Sequence, residues 1–144
     1  MKAQSYKEVT ILLVDDDDID HMAVARAMNK LKLLNPLVRA RDGLEALQML
    51  REKRVCHPYV ILLDLNMPRM NGLEFLEQLR HEETFTSSVV FVLTTSAADE
   101  DKVAAYRHHV AGYMVKHHIK DEFVSIFNML GSYWQVVVLP SDGE

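Results

Sequence analysis

Two short apolar runs in this chain each end in carboxylate. Ile11-Leu12-Leu13-Val14 leads into Asp15-Asp16, and Tyr59-Val60-Ile61-Leu62-Leu63 leads into Asp64. Continuous apolar runs of this length, bounded by turn-forming residues, suit the interior strands of a parallel sheet covered on both faces. In such sheets ligands bind just beyond the carboxyl ends of the strands. If the two runs are neighbours, three carboxylates converge on one spot. Like charges ~4 Å apart repel by about 4 kcal/mol at an effective dielectric of 20. Such a cluster calls for a cation, and all-oxygen ligands suit Mg2+.

The rest of the sequence supplies elements to position these carboxylates. Strand-like runs at 9–14, 37–40, 60–63, 89–93 and 113–115 alternate with five helical patterns. The first helix carries Ile19, Ala23, Ala27, Leu31 and Leu34, with Asp17 and Asp18 as caps for its positive end. The second holds Leu44, Leu47 and Leu50. The third opens after Asn71-Gly72 and holds Leu73, Leu76 and Leu79. The fourth follows Ser96 with Val103, Tyr106 and Val110. The fifth holds Phe123, Phe127 and Leu130. This alternation predicts right-handed βαβ units and an α/β fold with a parallel sheet between helices. Residues 1–8 read as an extension, 9–132 as the domain and 133–144 as an apolar tail that packs on something.

Bulk properties narrow the function. The length of 144 residues fits one domain with a single core. A net charge of -5 argues against non-specific binding to nucleic acid or anionic membrane. No apolar stretch reaches the ~18–20 residues of a membrane span, and no hydrophobic signal region follows Met1. The expected location is cytoplasmic. Cys56 is the only cysteine, which leaves no intramolecular disulfide and no cysteine metal site. His108, His109, His117 and His118 form two adjacent pairs. Neighbours on a strand face opposite ways, so these read as solvated surface.

Four motifs carry a resemblance. Val14-Asp15-Asp16, Leu62-Leu63-Asp64-Leu65-Asn66-Met67-Pro68 with Gly72, Leu93-Thr94, and Tyr113-Met114-Val115-Lys116 follow in order, each ending a predicted strand. Together they resemble the receiver domain of two-component response regulators over about residues 9–130. The resemblance implies a flavodoxin-like sheet of order 2-1-3-4-5 with its site at the switch point between strands 1 and 3. It implies Asp64 as phospho-acceptor and Mg2+ held by Asp16, Asp64 and the Asn66 carbonyl, with Asp15 acting through water. Thr94 would donate to one phosphoryl oxygen and Lys116 would pair with another. Tyr113 matches the family's switch aromatic. The chemistry is coherent: phosphoryl transfer needs an in-line nucleophile and neutralised equatorial oxygens. An acyl phosphate on Asp64 is covalent but labile, which suits a timed signal.

Two positions depart from the family pattern. His117 follows Lys116 where proline is usual; a non-proline cis bond costs about 2.5–4 kcal/mol, so a trans peptide is expected there. Thr95 follows Thr94 where Ala or Gly is usual, and is expected to crowd the site. No output domain fits after Lys116, so the expectation is a stand-alone phospho-acceptor switch rather than an enzyme. Its implied partners are a histidine kinase or phosphotransfer protein and a downstream protein target. The tail with Trp134 and Val136-Val137-Val138-Leu139-Pro140 is similar to that of small receivers partnering phytochrome-like kinases. That similarity implies a homodimer through the fifth strand, fifth helix and tail. Two rival readings are a phosphorylation-independent adaptor of the same fold and a haloacid-dehalogenase-type phosphohydrolase. The second needs an Asp two residues after its nucleophile, where this chain has Asn66.

Overall fold

The computed structural model describes residues 8–116, 122–136 and 139–140, with residues 122 and 134–136 described by backbone alone. Strands β1 (Thr10–Val14), β2 (Leu37–Ala40), β3 (Tyr59–Leu63), β4 (Val89–Thr94) and β5 (Gly112–Val115) alternate with five helices. These are α1 (Asp18–Lys30), α2 (Gly43–Arg51), α3 (Gly72–His81), α4 (Asp99–Arg107) and α5 (Glu122–Val136). All strand pairs are parallel, in the order β2-β1-β3-β4-β5. This is the doubly wound, flavodoxin-like order that the family resemblance implies.

Register makes the site. Every residue of β1 and β3 is buried, as unbroken apolar strands require at the centre of a covered sheet. Val14 lies opposite Leu63, so the next residues, Asp15 and Asp64, emerge side by side. The hydrogen-bond ladder extends past both strand ends. The Asp15 N–H donates to Ala40 O at 3.0 Å and the Asp64 N–H to Val14 O at 2.9 Å. Strand residues alternate between two cores. Leu12, Val14, Ile61, Leu63 and Val92 pack with Leu47, Leu50, Phe75, Leu76 and Leu79 of α2 and α3. Ile11, Leu13, Val60, Leu62 and Phe91 pack with Val24, Ala27 and Met28 of α1 and with Phe127 and Leu130 of α5.

Two helix faces differ from the sequence reading. In α1 the buried stripe is Asp20, Val24, Ala27 and Met28, while Ile19 is 74% and Leu34 84% exposed. Asp17 is the cap, accepting from the Ile19 N–H. A helix starting there turns Ile19 about 100° away from Asp20, out of the sheet-facing stripe. In α4 the expected core residues Val103 and Tyr106 are half exposed, and Ala105 is the buried residue. A small residue lets that helix lie close to the sheet edge with its larger side chains outside.

The C-terminal helix continues through Val136. Tyr133 meets Phe91 edge-on at 5.2 Å, and Leu139 packs against the α1/α5 core. His117, His118 and the Lys116–His117 peptide lie outside the described residues.

Two local devices hold the frame. Arg80 of α3 donates to the carbonyls of Thr86, Ser88, His108 and His109 at 2.7–3.1 Å. It thereby fastens the α3–β4 and α4–β5 turns together at the end of the sheet away from Asp64. Gly72 opens α3 behind a capping box formed by Asn71 and Glu74. A Cβ at Gly72 would stand 2.5 Å from the Asp64 carbonyl oxygen and 2.7 Å from Leu65 Cα. Gly72→Ala should therefore destabilise the protein by about 1–3 kcal/mol through overpacking. Urea unfolding checks this; an unchanged midpoint would show that the loop below Asp64 yields freely.

Candidate functional site

Strand ends and a helix start supply the site. Asp15 and Asp64 follow β1 and β3, Asp16 follows Asp15, Thr94 ends β4, and Lys116 follows β5. The carboxylate oxygens of Asp15, Asp16 and Asp64 lie within 4.8 Å of one another, close enough to share a metal ion. Asp15 and Asp64 are buried, whereas Asp16 faces solvent. The Asp17 N–H donates to Asp15 Oδ1 at 2.9 Å, and the Asn66 N–H donates to Asp64 Oδ1 at 3.3 Å. Arg39 steadies the loop after β1, donating from Nε to Asp15 O at 3.1 Å and pairing with Asp18 at 2.6 Å. Arg69 ties the β3–α3 loop to Asp42, the N-cap of α2, at 2.6 Å.

Lys116 reaches this cluster from β5. Its main-chain N–H donates to Thr94 O at 2.7 Å. Its Nζ donates to Asp15 Oδ2 at 2.9 Å and Asp20 Oδ2 at 2.5 Å, and lies 3.8 Å from Asp64 Oδ2. Thr94 is fully buried beside the site, its Oγ1 accepting from the Ser96 N–H at 3.4 Å. Thr95 is exposed rather than directed into the core. Tyr113 is half-buried, and its hydroxyl donates to Ser96 O at 2.8 Å, joining β5 to the β4–α4 loop.

Asp20 is the site residue that the sequence reading missed. Four consecutive acidic residues precede it, of which the sequence reading assigns Asp15 and Asp16 to the carboxylate cluster and Asp17 and Asp18 to capping. The available signal was spacing: Asp20, Val24, Ala27 and Met28 form one helical stripe, and a carboxylate on a buried stripe needs a cationic partner.

The electrostatics follow from burial. Desolvation pushes the Asp15 carboxyl up to about 6, with Asp64 adding to the rise and Lys116 and the Asp17 N–H opposing it. Burial alone would lower Lys116; the surrounding charges of Asp15, Asp20 and Asp64 prevail and push it up to about 12. The metal-free site thus holds more negative charge than its one ammonium balances.

The sequence profile of the response regulator receiver domain matches residues 11–128. The chain belongs to that family. It is 32% identical to the response regulator Rcp1 of Synechocystis sp., an alignment spanning 98% of this chain and 99% of Rcp1. The Mn(2+)-bound crystal structure of Rcp1 superposes with a TM-score of 0.82 at 31% identity, over 92% of this chain and 99% of that one. The phosphorylated cyanobacterial phytochrome response regulator RcpA gives a TM-score of 0.85 at 30% identity, over 94% and 100%. The chain is thus a receiver domain that matches these response regulators along nearly their whole length. Receiver domains act as switches. Among the described residues no helix is long and apolar enough to cross a membrane.

Asp15 gives this receiver a stability signature. Its folded-state pKa of about 6 lies above its ordinary value of 3.8. Between these values the native state holds a proton that the unfolded chain has released, so this group's contribution falls as pH rises from about 4 to 6. Asp15→Asn removes that fall. In metal-free buffer the variant's stability advantage should widen across the interval by up to about 1.4 kcal/mol per pH unit, then level off. Paired urea titrations at pH 4.5 and 7 test this; a gap that does not widen would place the raised carboxyl elsewhere.

Proposed function

We propose that this receiver domain accepts a phosphoryl group on Asp64 and signals through protein contacts. The observation that carries this reading is the convergence of Asp15, Asp16 and Asp64 with Lys116 at one end of β1 and β3. The donor set fits a divalent cation: the carboxylate oxygens of Asp15, Asp16 and Asp64 lie within 4.8 Å of one another, and hard oxygen ligands are what Mg2+ prefers. Asp16, Asp64 and the Asn66 carbonyl would hold the ion, with Asp15 acting through water. When bound, Mg2+ supplies positive charge to the phosphoryl oxygens.

Asp64 is the nucleophile. Its Oδ–P bond forms as the donor's bond to phosphorus breaks in line with it. Lys116 neutralises one equatorial oxygen from the opposite side of the cluster, and the Thr94 hydroxyl donates to another. The new dianion adds negative charge to a buried site, and the loop residues that can answer it are Thr94 and Ser96. Tyr113 is bonded to Ser96 O, so movement of that loop is felt at β5. Hydrolysis of the acyl phosphate at Asp64 resets the switch. Self-phosphorylation from small donors and autodephosphorylation are the only chemistry in this reading.

The donor in the cell is a histidine kinase, of phytochrome-like type, or a phosphotransfer protein, and the output is a downstream protein. The match to RcpA, a phytochrome response regulator, supports the phytochrome-like assignment. A phosphorylation-independent adaptor is the competing reading, and binding of acetyl phosphate or beryllofluoride separates the two. A second copy of this chain is a further partner, through β5, α5 and the tail. Tyr133 and Leu139 spend apolar surface on their own chain, so the dimer seam would rest on the remainder of this face.

Incubation with acetyl phosphate and Mg2+ should add one phosphoryl group by intact-mass analysis. The adduct should disappear in hydroxylamine, in chelator and in Asp64→Asn. A phosphorylated Asp64→Asn protein would assign the chemistry to another residue.

Sedimentation velocity at tens of micromolar should show a dimer of the full chain and a folded monomer after truncation before Tyr133. A monomeric full chain, phosphorylated or not, would remove the second copy from the list of partners.

A further inference from the structure

Asp20 is a buried carboxylate that the phosphorylation mechanism leaves unused. It projects from the first turn of α1, on the stripe that faces the sheet, and its Oδ2 accepts a hydrogen bond from Lys116 Nζ at 2.5 Å. Asp15 Oδ2 takes a second short bond from the same nitrogen at 2.9 Å. Asp64 Oδ2, at 3.8 Å, lies beyond hydrogen-bonding range. The ammonium that should serve the phosphoryl group is therefore bonded to two other carboxylates, with Asp64 third.

These two carboxylates are not equivalent. Asp15 belongs to the group that can share a metal ion, and Asp20 does not. Charge drawn to Asp15, Asp16 and Asp64 by a cation weakens the Asp15 hold on Lys116. It leaves the Asp20 hold intact. Delivery of Lys116 to a phosphoryl oxygen then requires breaking or stretching the Asp20 bond. That bond is charge-assisted and almost fully shielded from water, a setting in which such bonds are strong.

Resting on the reading of Asp64 as phospho-acceptor, we propose that Asp20 is a positioning residue that holds Lys116 back from Asp64 and competes with the phosphoryl group for it. Asp20 thus sets the bias between the resting and phosphorylated states. A ligand shifts a two-state element only by its differential interaction with the two arrangements. The phosphoryl group gains Lys116 in one arrangement, and Asp20 keeps it in the other. Phosphorylation must therefore exceed the strength of the Asp20–Lys116 pair before the loop beyond Thr94 responds.

The test uses beryllofluoride, which occupies the place of a phosphoryl group on an aspartate, with the full-length chain and saturating Mg2+. Asp20→Asn keeps the size and removes the charge. It should bind beryllofluoride about tenfold more tightly than wild type, equivalent to about 1.4 kcal/mol. It should bind Mg2+ alone no more tightly, because a neighbouring negative charge is lost. A purely structural role for Asp20 would weaken both. Asp20→Glu keeps the charge and should stay within about threefold of wild type on the same scale. In a Lys116→Met background, Asp20→Asn should change beryllofluoride affinity little, since the effect runs through Lys116.

Three outcomes overturn the proposal while leaving Asp64 phosphorylation standing. These are unchanged or weaker beryllofluoride binding by a folded Asp20→Asn, an Asp20→Glu that behaves like Asp20→Asn, or full persistence of the effect without Lys116. Should Asp20→Asn fail to fold, Asp20→Glu and Asp20→Ser compared by the same titration decide the point. A wild-type chain that binds no beryllofluoride with Mg2+ overturns the Asp64 reading itself.

Discussion

A single buried ammonium balanced among carboxylates governs this structure. Lys116 is almost fully removed from water and sits between Asp15 and Asp20, with Asp64 just beyond. Charges in such a place are tolerable only when paired and hydrogen-bonded. The pairing needs four separate elements in register: β1 for Asp15, α1 for Asp20, β3 for Asp64 and β5 for Lys116. Losing Lys116 would leave these buried carboxylates with no ammonium among them. The parallel sheet is the framework that brings residues about 100 positions apart in sequence into one hydrogen-bonded group.

Much of this was legible in the sequence because β1 and β3 are simple. Their unbroken apolar runs mark them as buried strands; the family resemblance makes the two neighbours, and their shared register then places the terminal aspartates together. The helices were harder to read. The phase of α1 depends on which residue of Asp15-Asp16-Asp17-Asp18 caps it, and a shift of one residue turns the buried face by about 100°. Ile19, placed on the apolar stripe by the sequence, is exposed, while Asp20, which the sequence reading left without a role, is buried. Hydrophobicity misled at both positions because the buried stripe there faces a charged site rather than an oily one. In α4 the apolar Val103 and Tyr106 stand outside because Ala105 makes the contact with the sheet. The position of Thr95 also escaped the sequence: it directly follows a strand that dives into the core, yet its side chain is exposed.

The hydrogen bond from Tyr113 to Ser96 O gives the site a mechanical outlet. Thr94 and Ser96 flank the exposed Thr95, so the segment that would grip a phosphoryl oxygen also holds the Tyr113 hydroxyl. Tyr113 packs partly against the α2/α3 core, and its strand neighbour Met114 packs against the α1/α5 core. A displacement of the loop after β4 therefore reaches both layers of the molecule through one short edge strand.

Arg80 gives the opposite end of the domain a different character. Its guanidinium occupies four main-chain acceptors on the turns before β4 and before β5. Those two strands cannot slide past each other at their amino ends without breaking several of these bonds together. Among the described residues their carboxyl ends, which carry Thr94 and Lys116, have no comparable rivet; they are joined by separate single bonds, from the Lys116 N–H to Thr94 O and from the Tyr113 hydroxyl to Ser96 O. The β4–β5 pair is built like a tuning fork clamped at its stem. Parting the tips breaks fewer bonds than parting the stem. Any partner that senses the state of the site must therefore grip near the tips.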